Sequence, residues 1–409
     1  MKILIVSQYF WPEGFSINDV ARSLVEKGVA VDVLTGKPNY PAGEKFEGYR
    51  GFGFMHETWK GVSVFRIPMV ARGVGGALRL VINYLSFVIS GLLFGALLLR
   101  KQRYDAILVY APSPILQAIP AIFLGWLKRC GVIVWVQDLW PESLSATGHV
   151  RNERVLKMVE SVVRFIYTRS DLLLAQSRAF VPLLQNLAAA TSVQYYPNSV
   201  DPAFANPVFG DLPDVEGLDG SFSVLFAGNI GTVQSVETIV EAASLLQSYP
   251  DIHLVVMGDG SKREWMLQEQ RLRGLTNLHL PGRFPVEMMP GFMQKASVLL
   301  VSLTNQEIFK ATIPNKIQAY LAAGRPIVAS LNGEGANIVL EAGAGLAAPA
   351  EDSQALADTI LRFYRMSQSE REEMGACGRR YYLKHFEHDM LMGQLIGHFR
   401  SVSDLKKEK

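Results

Sequence analysis

Residues 312–330 read T-I-P-N-K-I-Q-A-Y-L-A-A-G-R-P-I-V-A-S. Pro314 suits the first turn of a helix, where a missing N–H costs nothing. Asn315 can cap that helix, and Lys316 then projects beside its N-terminus. Gly324 and Pro326 end it, and the apolar run that follows reads as a buried strand. A helix N-terminus offers orphan N–H groups and the positive end of the peptide dipoles. A lysine beside it makes a place for a diphosphate. The competing reading is a solvated lysine near a helix start, exposed and of little consequence for stability. A helix leading straight into a buried strand is half of a parallel α/β unit.

The same alternation runs outward through the chain. Apolar runs predict strands at 2–6, 30–34, 62–67, 105–110, 132–136 and 171–175, then at 222–227, 253–257, 297–301 and 326–330. Between the two sets, residues 195–220 are rich in Pro, Gly and Asp and lack periodicity, as a linker does. The expectation is two doubly wound domains, 1–200 and 201–385. A C-terminal helix or tail, 386–409, would pack back on the first. Such sheets bind ligands at the carboxyl ends of their strands, so the site is expected in a cleft between the domains.

Composition excludes other classes. Of 409 residues, 49% are hydrophobic and 19% charged, which excludes a disordered or low-complexity chain. Two cysteines, Cys130 and Cys377, exclude a disulfide scaffold or Cys-rich zinc module and point to a reducing compartment. Residues 1–200 hold 21 Lys+Arg and 13 Asp+Glu, a net of +8; the remainder holds 19 and 25, a net of −6. A basic first half suits an anionic partner, although uneven surface charge is the plain alternative. The apolar run after Lys2 is too short for a signal peptide. Leu80–Leu99 is a 20-residue stretch without charge, followed by Arg100, Lys101 and Arg103. Its length could span a bilayer, but a crossing there would split one sheet across the membrane. Asn83, Ser86 and Ser90 share one helical stripe. A helix packed partly on the core and partly in the membrane interface fits both facts; a wholly buried helix is the other reading.

Two further loops follow strands. In S-Q-Y-F-W-P-E-G-F-S (7–16), Trp11 offers stacking, Glu13 a hydrogen-bond acceptor and Gly14 a close approach. In A-G-N-I-G-T-V-Q-S (227–235), Gly228 and Gly231 would bring backbone N–H groups to an anion, or would merely allow tight strand–helix packing. The latter loop lacks the third glycine and acidic residue of a dinucleotide fingerprint.

Taken in order, P-N-K-I-Q-A-Y-L-A-A-G-R-P-I, N-G-E-G-A-N-I-V (332–339), G-A-G-L (343–346) and E-D-S-Q-A-L-A-D (351–358) resemble the C-terminal domain of family 4 glycosyltransferases. S-Q-Y-F-W-P-E, T-G-K-P-N-Y-P-A-G (35–43), Q-D-L-W-P-E-S (137–143) and Y-P-N-S-V-D (196–201) resemble the WbuB-like branch, which builds bacterial O-antigens and capsules. The resemblance implies a GT-B fold, a nucleotide-sugar donor, retention at the anomeric carbon and no metal or other cofactor. The chain has no Asp-x-Asp, the usual pair of hard oxygen ligands for a metal.

Under that resemblance the donor lies on Gly228, Asn229, Gly231, Gln234, Asn315 and the loop Glu334, Gly335, Ala336, Asn337. The acceptor lies near Trp11, Glu13, Gly14 and Gln137, and Asp138, Lys316 and Arg283 carry the chemistry. Asp138 could instead only cap a turn. The sequence departs from the family at the two carboxylates of its Glu-x7-Glu motif, which fall on Ala311 and Ala319. The family's phosphate-binding Arg and Lys fall on Asn229 and Gln234. Arg283 and Lys316 are therefore assigned the phosphate charge, with Lys310 in reserve and Glu307 as a substitute carboxylate. The implied donor is a UDP-sugar of an N-acetylated amino sugar such as the fucosamine type, with a GDP-sugar as the other case. The implied acceptor is a polyprenyl-diphosphate-linked saccharide, met at the cytoplasmic face of the inner membrane by a peripheral protein anchored through 80–99. No nucleic-acid partner is expected, since no basic stripe is interleaved with aromatics. With both carboxylates gone, a noncatalytic scaffold of a polysaccharide assembly complex is a second reading, and a GT-B-fold UDP-sugar epimerase a third. The epimerase would need cleft histidines, and His56, His149 and His279 read as loop or surface residues.

Overall fold

The computed structural model describes every residue except 42, 52, 74–75, 147–151, 208–209, 221 and 409. It contains two compact units, residues 1–197 with 389–409, and residues 198–388. The first is built on β1 (Lys2–Val6), β2 (Ala30–Gly36), β3 (Met55–Trp59), β4 (Val62–Ile67), β5 (Ala106–Ala111), β6 (Gly131–Val136), β7 (Leu172–Ala175) and β8 (Ser192–Tyr195). Their order in the sheet is β3-β4-β2-β1-β5-β6-β7-β8, parallel except for the β3–β4 pair. Strands β5 and β6 are buried at every residue, as apolar strands covered on both faces must be.

One face is covered by the helix Ile17–Glu26 and by the end of the chain. Leu391, Met392, Leu395 and Phe399 of the last helix, His388–Lys407, join Ile3, Leu108 and Trp135 in a single core. A Cβ at Gly131 would lie 2.0 Å from Val402 Cγ1, so this helix needs a glycine beneath it. The Tyr196 hydroxyl donates to the Leu391 carbonyl at 2.9 Å, and Trp135 Nε1 donates to the Tyr196 carbonyl at 3.1 Å. Tyr196 stood within the run read as linker; the structure makes it fully buried core.

On the other face, the helix Ala77–Ser90 runs through a π-turn, Gly91–Gly95, into Ala96–Leu98. Its polar stripe points inward. Asn83 is 0% exposed, accepts from Gln8 Nε2 at 2.8 Å and donates to the Val70 carbonyl at 2.6 Å. Ser86 Oγ accepts from the Val70 N–H at 3.0 Å, and Ser90 is buried. The apolar stripe points outward: Leu78, Val81, Ile82, Leu85, Ile89 and Leu93 are 44–74% exposed. The wholly buried alternative for this segment does not hold. By length and composition alone, Leu78–Leu98 could cross a membrane.

The second unit contains β9 (Phe222–Ala227), β10 (Ile252–Met257), β11 (Leu278–Gly282), β12 (Val298–Ser302), β13 (Ile327–Ser330) and β14 (Gly345–Ala348). All are parallel, in the order β11-β10-β9-β12-β13-β14. Ala205, Val215 and Leu218, again from the supposed linker, belong to its core.

Four strands were not expected from the sequence: β3, β8, β11 and β14. They are the four edges of the two sheets. An edge strand is covered less completely than a central one, so it lacks the continuous apolar run; β3 alternates between half-buried and exposed residues. Truncating Phe399, which is fully buried in the first core, should cost about 3 kcal/mol. Denaturant unfolding of Phe399→Ala should show that loss in the transition of residues 1–197 with 389–409, with the other transition unmoved.

Candidate functional site

In the second sheet the strand order reverses between β9 and β12, and there the two strands part. Their pairing covers only Val298↔Val224 and Leu299↔Leu225. Tyr320, on the helix Asn315–Ala323, fills the fork. Its hydroxyl accepts from the Ala227 N–H at 3.2 Å and donates to the Leu300 carbonyl at 3.3 Å. It thus replaces the ladder bonds that the parting strands give up. One turn earlier on the same helix is Lys316, with Nζ 3.4 Å from the centroid of the Phe226 ring. A Cβ on Gly228 would come within 2.7 Å of Lys316 Cε, so the glycine makes room for the lysine.

Lys316 is not the exposed lysine the sequence suggested. Its Nζ is shielded from solvent and has no hydrogen-bond partner among the described residues. Burial pulls its pKa from 10.5 to about 7. A buried ammonium facing only an aromatic ring is short of a counter-charge, and an anion would supply it.

The neighbouring glycines act otherwise than expected. The Gly228 N–H already donates to the Met257 carbonyl at 2.9 Å, and the Gly231 N–H to Gln234 Oε1 at 3.1 Å. These amides are occupied by the loop itself; the glycines supply space. Gln234 also accepts from Asn229 Nδ2 at 3.2 Å, so both residues clamp the turn. Gly258 and Gly260, overlooked in the sequence, are held as tightly. At φ +145° and +153°, their Cβ atoms would lie 1.8 Å from the Gly228 carbonyl oxygen and 2.4 Å from that of Ile230. The signal was present as M-G-D-G directly after a predicted strand.

The other donor residues scatter. Pro314, not Asn315, occupies the cap position, and Asn315 Oδ1 instead accepts from Asn198 Nδ2 at 2.8 Å. Arg283 follows β11 on the same carboxyl edge, exposed and without a hydrogen bond or ion pair among the described residues, but two strands from the fork. Lys310 and Glu307 form an ion pair with each other on the surface, which uses up both reserves. Glu334 opens the helix Glu334–Glu341. Gly335 is a packing residue, with its Cβ position 2.9 Å from Ile317 Cδ1, and Ala336 is core, while Asn337 is exposed. Ala319 is buried and Ala311 half-buried.

In the first unit the order reverses between β1 and β5, and the loop after β1 is built around Glu13. This residue is 2% exposed. Its Oε1 accepts from the N–H groups of Asn39 (2.8 Å) and Tyr40 (2.7 Å), and Oε2 from Phe10 (3.2 Å). Desolvation nevertheless pushes its pKa to about 7. Its oxygens are committed, so it anchors three loop amides rather than receiving a ligand. Trp11 stacks on Trp59 with centroids 5.9 Å apart, and its carbonyl accepts from the buried Arg66. Gly14 has nothing within 4 Å of its Cβ position, so no close approach needs it. Gln137 is buried, with its N–H on the Ala111 carbonyl at 3.1 Å. Asp138 Oδ2 accepts from the Ser113 N–H at 3.0 Å, and the Ser113 side chain also bonds this carboxylate. Burial raises its pKa, against the pull of Ser113. Of the expected acceptor and catalytic groups in this unit, Asp138 is a carboxylate just after β6, at the carboxyl edge of the sheet, and is only partly covered.

Residues 14–198 match the family model described as "Glycosyl transferase 4-like domain", and residues 221–366 the one described as "Glycosyl transferases group 1". The chain belongs to this family of glycosyltransferases. The transferase is 25% identical over 346 residues to the putative colanic acid biosynthesis glycosyl transferase WcaI of Escherichia coli K12, covering 79% of this chain and 82% of WcaI. It is 25% identical over 296 residues to the probable glycosyltransferase WbjE of Pseudomonas aeruginosa, covering 69% and 72%. Its fold is GT-B. It resembles the structure of Anabaena HepE in complex with UDP, with a TM-score of 0.70 at 14% identity over 98% of this chain and 100% of that one.

His56 and His279 lie on edge strands of the two sheets, away from both forks. His56 is exposed, on β3, and His149 lies outside the described residues. His279 is not a surface residue: it is buried on β11, with Nε2 2.8 Å from His253 Nδ1. Among the described residues, no three His, Cys, Asp or Glu side chains converge as metal ligands.

Removing the Tyr320 hydroxyl leaves the Ala227 N–H and the Leu300 carbonyl unpaired in a buried fork. Tyr320→Phe should therefore lower the stability of residues 198–388 by about 1–3 kcal/mol. Denaturant unfolding measures this; no change would mean the strands do not need the bridge.

Proposed function

We propose that the transferase moves an N-acetylated amino sugar from its UDP derivative to a polyprenyl-diphosphate-linked saccharide in bacterial surface polysaccharide synthesis, with retention at the anomeric carbon. The observation that carries this is Lys316: a solvent-shielded ammonium with no hydrogen-bond partner among the described residues, at the fork where doubly wound sheets take their ligands. The UDP bound to HepE and the pathway named for WcaI support the donor and the product class.

Residues 198–388 hold the donor and the first unit receives the acceptor. The bond between the anomeric carbon and the diphosphate oxygen breaks, with its electron pair leaving on the phosphate. Lys316, protonated, stabilises that developing charge, aided by the N-terminal amides of Asn315–Ala323 and Glu334–Glu341. Arg283 meets the outer face of the diphosphate. The acceptor hydroxyl attacks the same face of the sugar and passes its proton to the departing phosphate oxygen. Asp138, in the first unit, contacts the acceptor. No metal or cofactor takes part. The outward apolar stripe of 77–98 meets the cytoplasmic face of the inner membrane, with the basic first half toward its anionic headgroups.

Titration calorimetry with UDP and GDP, with and without chelator, tests the donor half. UDP should bind in both conditions and GDP weakly. Binding no nucleotide, or binding UDP only with a metal, would sink the proposal. The diphosphate needs the protonated lysine, whose pKa burial pulls down to about 7. Affinity should therefore fall up to about tenfold per pH unit above 7, with proton uptake visible in buffers of different ionisation heat. Lys316→Met keeps the stem over Phe226 and removes the charge. It should weaken UDP binding at least about tenfold and erase the pH dependence. Folding should not suffer, because a lysine whose folded pKa lies below its unfolded one opposes folding until the pH exceeds the unfolded value.

A further inference from the structure

The Tyr40 ring and the Arg72 side chain have no part in the site described so far. Tyr9 follows β1 and Tyr40 follows β2, so both stand at the carboxyl edge of the first sheet, after neighbouring strands. The rings of Tyr9, Phe15 and Tyr40 pack together. Their centroids are 5.1 Å (Tyr9–Phe15), 5.6 Å (Tyr9–Tyr40) and 5.3 Å (Phe15–Tyr40) apart. Tyr9 is buried, whereas Tyr40 is 37% exposed and presents the nest to solvent. The Arg72 guanidinium lies over the Tyr40 ring, 5.6 Å from its centroid. Arg72 is half-buried, and among the described residues its side chain has no hydrogen bond or ion pair. Its own segment brings no carboxylate to it, since residues 58–104 contain no Asp or Glu.

Both groups are held from behind. Glu13 Oε1 accepts from the N–H groups of Asn39 and Tyr40. Asn39, 1% exposed, passes the hold on: its Oδ1 accepts from the Arg72 N–H at 2.9 Å, and its Nδ2 donates to the Lys37 carbonyl at 3.0 Å. One buried carboxylate thus fixes the backbone of the ring and, through Asn39, the backbone of the cation. A guanidinium resting on an aromatic face keeps its N–H edge free, and that planar edge matches two oxygens of a phosphate. The exposed part of an aromatic ring suits the apolar face of a sugar. Along the same edge, Tyr40 follows β2 and Asp138 follows β6. In the order β2-β1-β5-β6 they are three strand spacings apart, about 14 Å. A ligand with a phosphate at one end and a saccharide at the other matches that arrangement.

We propose that Arg72 binds the phosphate end of the lipid-linked acceptor and that the Tyr40 ring packs against the sugar next to it, with the reacting hydroxyl carried toward Asp138. This rests on the acceptor class proposed above. Glu13, expected to touch the acceptor, instead sets the geometry of the two groups that do. Arg72 stands just ahead of the helix Ala77–Ser90, so the lipid chain leaves the phosphate at the start of the outward apolar stripe.

Titration calorimetry with the full chain tests it. One probe is a water-soluble, short-chain prenyl diphosphate linked to N-acetylglucosamine; the other joins the same chain and sugar without phosphate. The wild type should bind the diphosphate probe at least about tenfold more tightly than the neutral one, as charge-assisted hydrogen bonds to phosphate require. Arg72→Met should erase that difference. Tyr40→Leu should weaken both probes, while Tyr40→Phe should match the wild type. UDP titration should be unchanged in all three. Arg72→Gln keeps the test open if Arg72→Met does not fold. A difference that survives in either Arg72 variant overturns the guanidinium site, and wild-type binding by Tyr40→Leu overturns the part given to the ring. Equal binding of the two probes by the wild type overturns phosphate recognition here. Binding of neither overturns the lipid-linked acceptor together with it. UDP binding is read separately, so loss of the donor assignment leaves this result interpretable.

Discussion

A single hydroxyl bridges the place where β9 and β12 part. A doubly wound sheet must reverse its strand order somewhere, and at that point neighbouring strands leave toward opposite sides. Their backbone groups then lack partners in a dry interior. Tyr320 answers this by accepting from one strand and donating to the other. Fixing the helix Asn315–Ala323 in the fork also fixes Lys316, one turn away, over Phe226. The ammonium is held where it has no neutralising partner, so the geometry that stabilises the sheet also creates the demand for an anion. Glycines at 228, 258 and 260 are the other side of this bargain, because the loops after β9 and β10 approach too closely for any side chain.

In the first unit a buried carboxylate holds neighbouring loops together rather than bridging the fork. Glu13 draws three loop amides around one carboxylate, tying the turn after β1 to the turn after β2. A carboxylate regains from several N–H donors part of what it loses in hydration. Desolvation keeps the upper hand in its titration: with the folded pKa raised from 4.5 to about 7, the folded state takes up the proton before the unfolded chain does, so this residue favours folding at acid pH and that contribution is lost as the pH rises through about 7. In both units, polar side chains at the strand ends serve the loops first, and only those left over can serve a substrate.

The sequence displayed the interior of the sheets and concealed their margins. All ten strands predicted from apolar runs are present, and the four overlooked are the edges, where incomplete cover removes the pattern. In the site, Lys316 and Gly228 were legible because a helix start after Pro and a glycine after a strand are local signals. Lys316's isolation was not legible, since it depends on Phe226, ninety residues away. Glu13, Asn315 and Gln234 were misread for the same reason: their partners are backbone N–H groups or another side chain, and nothing in a residue's identity tells whether its oxygens are already taken. The helix at 77–98 was misread least. Its polar stripe was visible, and only the partners Gln8 and Val70 were needed to show that the stripe faces in.

The first unit is made from two separated pieces of chain, 1–197 and 389–409. Phe399 and Leu395 belong to its core as fully as Ile3 does. During synthesis the order of completion is therefore inverted. Residues 198–388 are whole before residues 389–409 leave the ribosome, whereas the unit whose first strand emerged earlier must wait for the helix His388–Lys407. Its half-covered sheet stays open until residues 389–409 have been made, so the unit begun first is not the one that can close first.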